Sequence, residues 1–253
     1  MEIIELTHLQ LALLSLAVAS ASMITSITGM AGGVLMFAAM NVFMPLRPLV
    51  AVHGTVQVFN NAARSWFLRH SIRWKMCLPF AIGAAIGAAL TTLFIVNYVG
   101  EFFPLLLLLL LILYTLFKPK KMPQIRIKDG KFFWVGIATG SMGIIAGAID
   151  PLLAVFFFRD DLSKEEIVCN KSLMQMFAHI TKIPAYLFLG FSFIDNFFLI
   201  ATLSLAAVVG AKVGVVILGH VKTSLFFTLM KVALFIAAGR IGYELLPTFG
   251  ALL

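Results

Sequence analysis

Long apolar stretches recur along the chain, at about 9–44, 48–68, 76–97, 101–117, 132–158, 163–190, 196–218 and 223–246. Most approach or exceed the roughly 20 apolar residues that a helix needs to cross a bilayer. They lack the every-second-residue alternation of a membrane β-barrel strand. The pattern predicts an all-α polytopic membrane protein. Residues 118–131 (KPKKMPQIRIKDGK) interrupt it with a polar, strongly basic linker. That linker separates two transmembrane repeats of four apolar segments each, residues 1–117 and 132–253.

Each repeat is expected to open with a broken or re-entrant helix. Residues 9–44 exceed one span but barely allow two, and Gly29, Gly32 and Gly33 interrupt them. Residues 132–158 are interrupted by Gly140, Gly143, Gly147 and the pair Asp150-Pro151. Broken backbone at membrane depth is tolerated inside protein or beside a water-filled cavity. Interrupted segments at matching places in two halves point to a transporter binding site.

A polar stripe inside each second segment repeats as well. The first is His53, Gln57, Asn60, Asn61 and Arg64; the second is Lys171, Gln175, His179 and Lys182. A shift of 118 positions lays Gln57 on Gln175, Phe59 on Phe177, Asn61 on His179 and Arg64 on Lys182. In a 3.6-residue helix each set falls on one face. A charged side chain at the bilayer centre costs about 2.5–3.5 kcal/mol on insertion scales, so such groups normally face a cavity or one another. Two further echoes keep the same order. SITGMAGG (26–33) resembles SMGIIAGA (141–148), and GAAIG (83–87) resembles GAKVG (210–214). The latter are small-xxx-small patterns that permit close helix crossing.

Loop charge bears on topology. The loop after the second segment is basic (Arg69, His70, Arg73, Lys75), while its counterpart holds Asp195. The loop after the third segment holds Glu101, while its counterpart holds His220 and Lys222. By the positive-inside rule this swap favours inverted repeats over eight full spans in parallel repeats. Inversion requires that 9–44 and 132–158 be re-entrant hairpins, with both termini outside.

Composition agrees: 61% hydrophobic, 12% charged, mean hydropathy +1.04. The net charge of +8 lies largely in short loops, where it acts as a topology signal rather than a nucleic-acid surface. Cys77 and Cys169 suggest no disulfide or metal framework. No Lys or Arg precedes Arg47, so a signal-peptide n-region is missing and the first apolar stretch is expected to stay in the protein.

The string GMAGGVLMFAAM from Gly29, the helix beginning near His53, the turn RHSIRWKMCLP (69–79) and the GAAIGAAL that follows resemble the TauE/SafE sulfite exporter family, also called the toluenesulfonate uptake permease family. The resemblance covers nearly the whole chain. It implies an integral membrane transporter of sulfite, sulfonates or related organic anions. One departure stands out: the family's second glycine-rich motif tends toward G-x-G-G-G, whereas this chain reads Gly147-Ala148-Ile149-Asp150-Pro151.

The residues themselves suggest the chemistry. Amide groups of Gln57, Asn60, Asn61 and Gln175 can donate to an oxyanion without adding charge. Arg64 can form a bidentate pair, or snorkel from its place near a helix end. Lys171 and Lys182 add cations. If Gly32-Gly33 opens a half-helix at 34–44, its free N–H groups make a second anion device, although such glycines equally serve helix packing. Asp150, His53 and His179 are candidates for proton coupling; Asp150 with Pro151 equally suits the start of a short helix. The expected protein is a secondary transporter of a small oxyanion in the cell membrane, most simply an exporter, working by alternating access between the two repeats. Its expected partners are the anionic substrate, the lipid bilayer and possible coupling protons, with no metal, cofactor or nucleic acid. An anion channel and an intramembrane enzyme are the alternatives, the latter without any nucleophile or metalloprotease motif.

Overall fold

Thr7 and Gln10 form a reciprocal capping box, which starts the first helix, α1 (His8–Thr28), cleanly after an extended residue. The helix stops at Gly29, whose φ of 75° is readily reached only without a Cβ. Ala31 is also left-handed, at φ 77°, and α2 (Gly32–Asn41) then begins without a side-chain cap. The computed structural model describes residues 4, 6–95, 102–117, 126–145, 150–188 and 190–252. Among these, regular structure is helical throughout. The further helices are α3 (Leu46–Phe67), α4 (Trp74–Leu90), α5 (Phe102–Phe117), α6 (Phe132–Ile145), α7 (Asp150–Phe157), α8 (Lys164–Ile180), α9 (Ile183–Phe188), α10 (Phe197–His220) and α11 (Thr223–Leu252).

Four described helices are long and apolar enough to cross a membrane: His8–Thr28, Trp74–Phe94, Phe197–His220 and Thr223–Tyr243. Their outer faces expose large apolar side chains, among them Leu16, Leu93, Leu205 and Ile236. Such surface suits lipid rather than water.

The helices assemble into two compact units, and neither follows one half of the sequence. One holds Met1–Ile72 with Lys164–Val221; the other holds Arg73–Ser163 with Lys222–Leu253. In the first, α1 packs on α10; in the second, α6 packs on α4. Both seams are closed by glycine. A Cβ on Gly210 would lie 2.1 Å from the Ala19 carbonyl oxygen, and one on Gly214 2.6 Å from that of Met23. Likewise a Cβ on Gly83 would lie 2.0 Å from the Phe133 oxygen, and one on Gly87 2.3 Å from that of Ile137. Numbers rise together along both seams, so each helix pair is parallel. The two small-xxx-small echoes thus meet equivalent partners, each taken from the other half of the chain.

The first interrupted segment is a hairpin. Gly32 sits against α1, where a Cβ would fall 1.5 Å from Thr25 Oγ1 and 2.2 Å from the Ala21 carbonyl oxygen. The chain doubles back through α2, so α3 runs parallel to α1, with Ser22 beside Asn60 and Ser26 beside Arg64. Of the second expected break, Gly140 and Gly143 lie inside the continuous helix α6, and Gly147 lies outside the described residues. Its short helix is present as α7, opened by Asp150 and Pro151. Residues 163–190, expected as one helix, divide at Thr181-Lys182 into α8 and α9. Pro184 is the second residue of α9, where its missing N–H and fixed φ suit the first turn of a new helix.

Candidate functional site

The two polar stripes meet. Within the first unit α3 packs directly on α8, and their contacts fix an antiparallel register. Arg64 Nη1 lies 3.0 Å from Ser172 Oγ, Ser65 bonds toward the Cys169 carbonyl, and the His53 and His179 rings stand 6.3 Å apart, centre to centre. That register brings Gln57 and Gln175 to about the same level of the pair.

At the end of the stripe nearer the C-terminus of α3, Arg64 is buried, 1% exposed, so it does not snorkel. Its Nε donates to Ser26 Oγ at 3.1 Å, its Nη2 to Asn60 Oδ1 at 3.1 Å, and its Nη1 reaches Asn61 Oδ1 at 3.4 Å. Asn60 is held in turn: its amide donates to Gln57 Oε1 at 2.9 Å, and Ser22 Oγ lies 2.5 Å from its Oδ1. Lys171, also 1% exposed, donates from Nζ to the Gly29 carbonyl at 2.7 Å. The break between α1 and α2 is therefore tied to α8 through its own backbone.

At the other end the stripe is imidazole-rich. His53 Nε2 lies 3.0 Å from the Gly33 carbonyl oxygen. A carbonyl only accepts, so that contact places the proton on Nε2. Gln57 Nε2, 3.4 Å from the same nitrogen, cannot then donate to it. The ring packs edge-on to Phe37 and to His179. His179 Nδ1 is buried and has no hydrogen-bond partner among the described residues. Lys182, in the turn between α8 and α9, is near enough for its charge to bear on both imidazoles. Tyr186 of α9 fills the space beside Gly54, where a Cβ would meet its hydroxyl at 2.8 Å.

The unit's acids are Glu2, Glu5, Glu165, Glu166 and Asp195, so neither stripe contains a carboxylate. The site is one of cations, amides, hydroxyls and imidazoles. Chemically it can stabilise a small anion.

A family model for sulfite exporter TauE/SafE matches residues 14–241. The chain belongs to the TauE/SafE family. A search of curated proteins and one of solved structures returned no match. Membership makes this a membrane-embedded protein of the sulfite and sulfonate exporter type, in line with its four span-length helices. The TauE/SafE match reaches across α1 through most of α11, so both stripes fall inside it.

The stripes were legible in the sequence, but three of their partners were not. Ser22, Ser26 and Ser172 complete the Arg64 network. A signal existed for the first two: Ser22, Thr25 and Ser26 recur at helical spacing on one face of an otherwise apolar helix. Gly32 and Gly33 are the first two residues of α2, which ends at Asn41 rather than at residue 44. The tight fit of Gly32 against α1 gives that glycine a packing role. Asp150 belongs to the second unit, where it opens α7.

Proposed function

We propose that this TauE/SafE protein carries a small oxyanion, sulfite or a sulfonate first among them, across the cell membrane, and that the stripes of α3 and α8 form its binding site. The observation that supports this most is the pairing of the two duplicated, carboxylate-free stripes in one buried seam. Roles divide along the seam. Arg64 is held by protein oxygens and supplies a fixed positive field, while Lys171 rests on the Gly29 carbonyl and can exchange it for the anion. His179, Lys182, Gln57 and Gln175, with His53 beside them, contact the anion directly. Asn60 and Asn61 orient Arg64.

Two bonds suggest how access alternates. The break between α1 and α2 is tethered by Lys171 to the Gly29 carbonyl and by His53 to the Gly33 carbonyl. An oxyanion competes with those carbonyls for the same donors. Binding would free the hairpin, and release of the anion would re-form the tethers. The ligand then shifts the equilibrium through a difference in contacts, as any conformational coupling requires.

The antiparallel crossing of α3 and α8 supports inverted repeats, because these are corresponding helices of the two halves. Their reciprocal glycine seams support it too. Export of a monoanion from a cell negative inside gains about 2.3 kcal/mol per 100 mV, so an exporter needs no coupling ion. Proton coupling through Asp150, His53 or His179 is the second reading.

Sulfite flux into proteoliposomes, with membrane potential and pH gradient imposed separately, tests this. Saturable flux that follows potential alone is expected. Flux that requires the pH gradient would replace the uniport mechanism by proton coupling. Currents that never saturate would replace the carrier by a channel, and no flux of sulfite or of any sulfonate would remove the substrate assignment.

A further inference from the structure

The second unit contains a groove of about 530 Å³ lined by both cationic and apolar side chains. Arg126, Lys128 and Lys131 supply the cations, and Trp134, Ala138 and Phe156 are among the apolar residues. We infer that this groove binds an anionic phospholipid of the cytoplasmic leaflet, its phosphate at the lysines and one acyl chain along α6.

Charge complementarity is specific to the two lysines. Arg126 pairs with Asp160 at 2.6 Å, and Arg159 pairs with Asp161. Asp129 is close enough to act on Arg159 as well. Those charges largely cancel. Lys128 and Lys131 are exposed and form no ion pair among the described residues. They are the groove's available cations.

The apolar wall determines the occupant. Lys131, Trp134 and Ala138 recur at intervals of three and four, one face of the chain entering α6. Their span of seven residues is about 10 Å along a helix, several methylene groups of an acyl chain. A free phosphate would leave that wall unused.

Position in the membrane agrees. Helices α4 and α6 run parallel, with Gly136 set against the Phe80 carbonyl. This register brings Lys131 to the level of Lys75. Trp74 and Trp134, 52% and 67% exposed, flank the same end. Exposed tryptophans beside clustered Lys and Arg mark a membrane–water interface, and the excess of cations marks its cytoplasmic side.

The test is native mass spectrometry of the full chain in detergent, titrated with phosphatidylglycerol and with phosphatidylcholine of identical acyl chains. Preferential retention of phosphatidylglycerol is expected. Each of Lys128→Gln and Lys131→Gln should weaken it about fivefold. Trp134→Ala should weaken it too, whereas Lys212→Gln, at an exposed position of α10 in the other unit, should not. Millimolar inorganic phosphate should fail to displace the lipid. Equal retention of the two lipids overturns the proposal, and wild-type comparison alone suffices if a variant fails to fold. Undiminished phosphatidylglycerol binding in both lysine variants overturns it as well, and ready displacement by inorganic phosphate would reassign the groove to a free oxyanion.

Discussion

His53 and His179 face each other edge-on across the α3–α8 seam, at 6.3 Å between ring centres and 81° between ring planes. Of the two, only His53 is anchored by a protein acceptor among the described residues. His53 holds the Gly33 carbonyl, while His179 Nδ1 is buried with no hydrogen-bond partner among the described residues. A buried polar atom without a partner costs about 1–3 kcal/mol. A ligand that meets it recovers that cost.

His179→Phe separates the two roles a histidine can have here. Replacing an unsatisfied polar ring by an apolar one of similar shape should leave thermal stability unchanged or raise it. The KM for sulfite should rise about tenfold, the loss expected for one hydrogen bond to a charged ligand. A fall in stability with KM unchanged would make His179 a structural residue.

Arg64→Lys keeps the charge but loses the fork that reaches Ser26, Asn60, Asn61 and Ser172 together. Several buried oxygens are then left short of a donor, at about 1–3 kcal/mol each. The melting temperature in detergent should fall by several degrees, and flux should fall with it. Unchanged stability would mean that the network contributes little to the fold.

Gly32→Ala tests the hairpin. The added Cβ meets the Ala21 carbonyl oxygen, which belongs to the backbone of α1 and cannot rotate away. Overpacking of this kind costs about 1–3 kcal/mol. Combining it with Thr25→Ala removes the Thr25 hydroxyl from the clash but should not restore stability, because the carbonyl stays. Full rescue in the double variant would show that the seam can relax.

The turn between α7 and α8 should titrate. Arg159 beside Asp161 holds that carboxyl below its ordinary value. A carboxylate depressed in the folded state adds stability that is present above its unfolded pKa, about 3.9, and is lost as pH falls through the folded value. Asp161→Asn should therefore be less stable than the parent at pH 7, by about 0.5–1 kcal/mol for a partly exposed pair. The difference should close in acid, below the ordinary carboxylate range. Thermal melts of both proteins from pH 7 down to about pH 2 read this directly.

The stripes were legible because a charge or amide inside an apolar run is costly and needs a reason. Gln57 and Gln175 could be aligned by number alone. Their meeting was not legible, since register between α3 and α8 is a matter of tertiary packing. Ser22 and Ser26 escaped notice because serine is nearly neutral in hydropathy and often bonds its own helix, as Ser26 does to the Ser22 carbonyl. The division of the second stripe segment at Lys182 had its sign in Pro184. The assembly of each unit from both halves of the sequence had none: which half supplies the partner of a glycine face, as Gly83 to Phe133 or Gly210 to Ala19, depends on contacts distant in sequence.

The central claim is that α3 and α8 bind the anion together, and the paired glutamines test it most directly. Sulfite flux would be measured in proteoliposomes containing wild-type protein, Gln57→Ala or Gln175→Ala, each checked for a monodisperse, folded state. The account predicts saturable flux in the wild type and its loss in both variants. Wild-type flux in both would contradict it and move the binding site away from the seam.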